Sequence, residues 1–189
     1  EREGGLEITP GYYELRPNDH MGNVLGRLRT PPGQTYTQVT FPEGFTLQRM
    51  ADRLDSSVER LGADEFLVVA GEGSLRSSFQ PIGSTSLEGM LFPDTYQVSN
   101  AESEGQVIER MIALMERVAD QEDIVNRSQA LAITPYEALI IASMIEREAK
   151  VPEDRAKISR VIHNRMNLTK FNPAEPFPLA IDAAVLYGA

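Results

Sequence analysis

Apolar residues recur with helical spacing along much of the chain, and residues 35–41 alternate as a strand does. Apolar side chains at i, i+3, i+4 and i+7 form one face of a helix, whereas β-branched residues at alternate positions are typical of a strand. The predicted strands cover residues 8–15 and 35–41. The predicted helices cover about residues 18–29, 46–54, 64–70, 103–119, 135–150 and 152–167. A β-α-β unit of about 35 residues is therefore predicted over residues 8–41.

Cap residues indicate where several of these helices begin. Asn18 or Asp19 is the predicted cap of the first helix. Ser103 with Gln106 has the spacing of a capping box, in which two side chains satisfy each other's backbone amides. The segment Thr134-Pro135-Tyr136-Glu137 has the same spacing, with proline at the first helical position. Thr46 is the predicted cap of the second helix.

The amino-acid composition of the chain changes near residue 86. Residues 71–86 are rich in Gly, Ser and Pro and are the predicted linker. We therefore predict an N-terminal region over 1–86 and a second domain over 87–189. The predicted fold class is α+β, with a small N-terminal β-α part followed by a mainly helical domain.

Composition excludes several classes of function. The 18 Lys and Arg against 28 Asp and Glu give a net charge of −10, which disfavours nucleic acid and anionic membranes as partners. Cysteine is absent and His20 and His163 are the only histidines, so we expect no metal centre and no cofactor. No stretch approaches 18 uncharged apolar residues, and the chain opens at Glu1. We interpret it as a segment excised from a longer protein.

The predicted helix over 135–150 carries the most informative acidic residues. Its middle is apolar almost all round, so we expect it to be buried on most sides, yet it runs directly into Glu146-Arg147-Glu148. Desolvation beside an apolar stripe favours a protonated carboxyl, as a general acid requires. The alternative is a solvated last turn. Helical periodicity does not choose between Glu146 and Glu148.

Other motifs are weaker or missing. Glu88, Tyr96, Asn164 and Asp182 are polar residues in segments where they suit either a binding site or a structural role. The chain has no GxSxG, GxxxxGK[ST], GxGxxG or HExxH motif. Serine hydrolysis, nucleotide use and zinc proteolysis therefore lack their usual signatures.

Five sequence blocks resemble the YceG-like (MltG-type) family of endolytic murein transglycosylases. In chain order they are TFPEGFT (40–46), LEGMLFPDTY (87–96), IASMIERE (141–148), VIHNRM (161–166) and PLAIDAAVLYG (178–188). Ala180 and the pair Ala183-Ala184 depart from the family's pattern beside Asp182. The roles of the positions around Asp182 are therefore open.

The resemblance implies a function and a location. It implies a LysM-like module in the N-terminal region and a YceG-like catalytic domain after it. It also implies one transmembrane helix upstream, which would place this portion outside the cytoplasmic membrane. The implied substrate is peptidoglycan, cut between N-acetylmuramic acid and N-acetylglucosamine to leave 1,6-anhydro ends, with no metal. The resemblance does not decide whether peptidoglycan synthases are further partners.

The resemblance also assigns site residues. It makes Glu146 the catalytic acid, with Glu148 as second choice. We expect Glu88, Tyr96, Asn164 and Asp182 to line the glycan groove. Two alternatives stay open, namely a non-catalytic cell-wall binding protein that uses the LysM-like module and a hydrolase of the muramidase type.

Overall fold

The computed structural model of the chain describes residues 8, 9, 13, 15, 17–30, 36–171 and 178–181, without the side chains of 168–171. Helices dominate and one small sheet is present, so the predicted α+β class is confirmed. The strands are β1 (Tyr36–Thr40) and β2 (Thr95–Ser99). The helices are α1 (Met21–Arg29), α2 (Leu47–Ser57), α3 (Ala63–Gly71), α4 (Glu104–Gln121), α5 (Ile124–Ala130), α6 (Pro135–Glu148) and α7 (Arg155–Phe171).

The chain divides into two compact units. The first contains Glu1–Arg76 and Thr85–Ala113, and the second contains Ser77–Ser84 and Leu114–Ala189. This division does not coincide with the predicted boundary at 86/87, because residues 87–113 associate with the N-terminal elements. Part of the predicted linker is held in the second unit, where Glu116 accepts a hydrogen bond from the backbone N–H of Ser78 at 2.6 Å.

The sheet of the first unit joins two segments that lie far apart in the sequence. β1 and β2 are antiparallel, with Val39 opposite Tyr96 and Thr40 opposite Thr95. The hydroxyl groups of Thr40 and Thr95 are hydrogen-bonded at 2.8 Å. The block 87–96 that carries the family resemblance therefore leads directly into this sheet.

Helices α2, α3 and the start of α4 supply the rest of this unit's core. The Thr46 side chain accepts from the N–H of Arg49, so the predicted cap of α2 is confirmed. The predicted inner face of α2 is also confirmed, because Leu47, Met50, Ala51 and Leu54 are all buried. Other fully buried side chains are those of Val39, Phe41, Phe66, Leu87, Met90, Val98, Val107, Ile108 and Met111.

The start of α1 differs from the prediction. The N-cap is His20, whose Nδ1 accepts from the N–H of Gly22 at 3.2 Å. Asn18 adopts a left-handed backbone with φ of 62°, which places it in the turn before the helix. Most of the predicted first strand, residues 8–15, lies outside the described residues, and β1 pairs with β2. The predicted β-α-β unit therefore stays a prediction.

The second unit is built on helices that follow the C-terminal half of α4. Helix α6 begins with the predicted capping box, in which Thr134 and Glu137 each bond the other's backbone N–H. It packs against α5 and α7, and a 3₁₀ turn at Pro152–Asp154 precedes α7. The core of the unit consists of Ile141, Met144, Ile162 and Ile181.

Helix α6 is less buried than its composition predicts. Only Ile141 and Met144 are buried among its residues, whereas Ile140 is 41% exposed. Helices α5 and α7 pack on α6, and Ile181 joins the same core, whereas Ala142 and Ser143 are exposed. No single helix in the described ranges is long and apolar enough to cross a membrane. Helices α5 and α6 meet that test only as a pair, bent by 89°.

Candidate active site

Glu146 lies in the last turn of α6, where the helix approaches its connection to α7. The chain folds this way because the Thr134 box fixes the start of α6 and Ile141 and Met144 bury one face. The helix ends at Glu148 and the N–H of Ala149 still bonds to Ile145. The acidic residues of the motif 141–148 therefore sit at the open end of a packed helix.

The carboxylate of Glu146 is paired with Arg155, the first residue of α7. Arg155 Nη2 donates to Glu146 Oε2 at 2.8 Å. The side chain of Glu146 is 46% exposed and that of Arg155 is 52% exposed. Glu146 is therefore not the desolvated carboxyl that the apolar helix led us to expect, because α6 turns this side of its end to solvent and supplies no apolar cover there.

Glu148 has a different environment from Glu146. It is partly buried and lines a cleft of about 350 Å³ in the second unit. Side chains two positions apart on a helix point about 200° apart around its axis. Glu146 and Glu148 therefore leave α6 on nearly opposite sides. The remaining lining residues of the cleft are Asp154, Lys157, Ile158, Val161, Ile162, Arg165, Ala180 and Ile181.

Two other predicted site residues belong to this unit. Asn164 is exposed on α7 and is not part of the cleft lining. Asp182 lies outside the described residues. Its neighbours 179 and 180 are held by Arg165, whose Nη1 donates to the backbone oxygens of Leu179 and Ala180. Arg165 therefore fixes the segment that precedes Asp182 against α7.

Glu88 and Tyr96 belong to the first unit, where both are engaged in the fold. Both oxygens of the Glu88 carboxylate accept from the N–H of Leu47, at 3.3 and 3.1 Å, at the positive end of α2. Tyr96 is 4% exposed and its hydroxyl donates to the backbone oxygen of Phe92 at 2.8 Å. These contacts give both residues a structural role in this structure.

Arg155 and Lys157 were not predicted as parts of a site. A signal for Arg155 existed in the sequence, because only residues 149–154 separate the end of α6 from the start of α7. A connection that short brings the two helix ends together, and with them an acid and a base. No group of three or more His, Cys, Asp or Glu suited to holding a metal ion occurs in the described part of the chain.

Comparison with known proteins places the chain in a class and then in a family. Its fold matches the 2.6 Å crystal structure of a yceG-like protein from Listeria monocytogenes, with a TM-score of 0.66 and 24% identity over 96% of this chain and 61% of that one. The YceG-like family model matches residues 1–189, so the chain belongs to the YceG-like family.

Two curated relatives carry the same name, endolytic murein transglycosylase. The one from Streptococcus pneumoniae serotype 2 is 28% identical over 204 residues, which cover 96% of this chain and 35% of the relative. The one from Bacillus subtilis strain 168 is 23% identical over 206 residues, which cover 99% of this chain and 53% of the relative. The chain thus spans about a third to a half of these relatives.

Proposed function

We propose that the protein carrying this chain is an endolytic lytic transglycosylase of peptidoglycan, with Glu146 as its general acid and base. The observation that carries the proposal is the position of Glu146. Its carboxylate is accessible at the end of a packed helix and is held by one arginine in a partly solvated ion pair. The name of the curated relatives and the family membership of the whole chain support the reaction class.

The reaction needs only one protein carboxyl. Glu146, in its protonated form, donates to the oxygen that joins C1 of N-acetylmuramic acid to N-acetylglucosamine, and that bond breaks. The substrate's own N-acetyl oxygen stabilises the positive C1, in place of the second carboxylate of ordinary glycosidases. The ionised Glu146 then accepts the proton of the C6 hydroxyl as that oxygen bonds to C1. The product is a 1,6-anhydro end, and no water is consumed.

A bound glycan has to break the ion pair between Glu146 and Arg155. Arg155 donates to Oε2 of Glu146 at 2.8 Å, so a glycosidic oxygen has to displace the arginine to reach this oxygen. Both side chains are about half exposed, so the pair is held weakly and is free to exchange. A glycan strand seated over Glu146 excludes water from the carboxyl and competes with Arg155 for it. Glu148 is the second-choice acid because it is the other carboxyl at the end of α6.

Digestion of isolated sacculi tests the proposal. The full-length protein is incubated with sacculi in ¹⁸O-labelled water, and the fragments are analysed by mass spectrometry. We expect 1,6-anhydro ends without label and loss of cleavage in Glu146→Gln, whereas Glu148→Gln should keep the chemical step and at most slow it. Labelled reducing ends would identify a muramidase-type hydrolase, and retained cleavage in Glu146→Gln would remove this residue from the mechanism. Sacculus binding without any cleavage would identify a non-catalytic wall-binding protein.

The same proposal includes the location of the protein and its N-terminal module. We propose a LysM-like module in the N-terminal region and a transmembrane helix upstream, which together hold the protein against the wall outside the membrane. The family resemblance of the five sequence blocks supports this arrangement. Protease accessibility in spheroplasts tests the location, and protection of this portion until the membrane is permeabilised would contradict it. Peptidoglycan synthases stay a proposed class of partner, which crosslinking in intact cells tests.

A further inference from the structure

The cleft beside Glu148 combines an aliphatic wall with charges of both signs. Its wall includes Ile158, Val161, Ile162 and Ile181. Val161 is 45% exposed although it is apolar, and it lines the cleft rather than the core. A concave site with apolar walls and a few polar groups is the usual form of a binding site for a small ligand.

The charges lie around this wall. Glu148 and Asp154 supply carboxylates, and Lys157 and Arg165 supply cations. Lys157 Nζ is 2.9 Å from Asp154 Oδ1, and the two side chains are 76% and 44% exposed. An ion pair this exposed is worth about 1 kcal/mol or less, so a charged ligand exchanges with it at little cost.

We propose that this cleft binds the stem peptide that branches from the peptidoglycan strand, a short peptide with carboxylates, an amine and methyl side chains. The proposal rests on the function proposed above. A peptide of this kind matches the cleft group by group, because its carboxylates suit Lys157 and Arg165, its amine suits Glu148 and Asp154, and its methyl groups suit the aliphatic wall.

The bare sugar strand fits the cleft less well. Without its peptide it carries one lactyl carboxylate per N-acetylmuramic acid but no amine, so it offers no positive charge to Glu148 and Asp154. The residues that line the cleft also include no aromatic ring on which a sugar could stack. Charge complementarity therefore favours the peptide over the glycan as the occupant.

A stem peptide is long enough to run from Glu146 to the other side of α6. The two acids leave α6 on nearly opposite sides, and a helix with its side chains is about 10 Å across. The path around the helix is half its circumference, roughly 16 Å, and an extended chain advances about 3.3 Å per residue, so about five residues cover it. A stem peptide attached to a sugar at Glu146 can thus pass around the end of α6 and enter the cleft.

Direct binding tests the proposal independently of catalysis. The full-length protein is titrated with the synthetic pentapeptide L-Ala-γ-D-Glu-L-Lys-D-Ala-D-Ala, and Kd is measured by calorimetry. We expect saturable binding that Lys157→Met and Val161→Asp each weaken by about fivefold or more, the value of one exposed ionic or apolar contact. Arg160→Met is the matched control, since it removes an exposed cation from the same helix outside the cleft, and its Kd should equal that of the wild type.

Kinetics on two substrates complete the test. Wild-type protein should cleave peptide-bearing strands faster than peptide-free strands, and the two cleft variants should lose this preference while retaining the rate on peptide-free strands. Absent peptide binding, equal Kd values in all variants, or loss of chitooligosaccharide binding in the cleft variants would overturn the proposal. If the protein binds the peptide through Lys157 but cleaves neither substrate, the peptide site in the cleft is supported and only the proposed function is refuted.

Discussion

Arg155 and Glu146 join the first residue of α7 to the last turn of α6 through a 2.8 Å ion pair. This ion pair bridges the end of α6 and the start of α7, and both side chains are about half exposed to solvent. On the opposite side of the same connection, Ile141, Met144 and Ile162 pack together. The carboxylate that we propose as the acid therefore lies at the end of a packed helix and is paired with one half-exposed cation.

Replacing Glu146 should affect chemistry and leave stability almost unchanged. Glu146→Gln removes the proton donor, so we expect cleavage of sacculi to fall about 10²-fold or more. The lost ion pair is about half exposed and is worth about 1 kcal/mol or less. Fragment release and chemical denaturation of the same preparation measure the two effects. A large loss of stability would make Glu146 a structural residue.

Arg155→Gln is the matched control for that variant. It breaks the same ion pair but keeps the carboxyl, so we expect cleavage to stay within about tenfold of the wild type and stability to fall by about 1 kcal/mol or less. Comparing cleavage in the two variants distinguishes loss of the carboxyl from loss of the ion pair. Equal loss of cleavage in both variants would mean that the pair, and not the proton of Glu146, is what the reaction requires.

Tyr96 should prove to be a stability residue. Its hydroxyl donates to the Phe92 backbone oxygen, its ring lies edge-on to Phe41 with centroids 5.9 Å apart, and the Arg110 guanidinium lies 5.6 Å from the ring centre. Tyr96→Phe removes only the hydroxyl and should lower the free energy of unfolding by about 1 kcal/mol. KM for glycan should not change. A raised KM with unchanged stability would mean that Tyr96 contacts the glycan and has no structural role.

Local signals in the sequence predicted local structure well. Thr134 with Glu137 and Ser103 with Gln106 form the predicted capping boxes, because a cap depends only on residues within one turn. The buried face of α2 also followed from spacing alone, since one stripe of a helix has to face the core. These features need no knowledge of distant parts of the chain.

Features that depend on distant contacts could not be predicted. The pairing of Val39 with Tyr96 joins strands more than fifty residues apart, and no local pattern in the block 87–96 indicates this partner. The exposure of Glu146 depends on how much of α6 its neighbours cover, which apolar composition does not reveal. Whether Glu146 or Glu148 faces a cleft likewise depends on where α7 lies.

Glu88 should contribute to stability through the start of α2. Its carboxylate accepts from the N–H of Leu47 in the first turn, where negative charge is favoured by the helix dipole. Glu88→Gln keeps the shape and removes the charge, so we expect a loss of about 0.5–1 kcal/mol that shrinks at high salt. Denaturation at low and high salt measures it. A salt-independent loss would assign the effect to packing.

Two neighbouring residues on α7 should respond very differently to truncation. Ile162 is 1% exposed in the core with Ile141, Met144 and Ile181, so Ile162→Ala removes buried methyl groups and leaves a cavity. We expect a loss of about 2–5 kcal/mol in the free energy of unfolding. Val161 is 45% exposed, and Val161→Ala should change this free energy by about 0.5 kcal/mol or less. Urea denaturation of both variants measures the difference. Equal losses would mean that α7 is rotated about its axis from the orientation described above, with Val161 turned into the core.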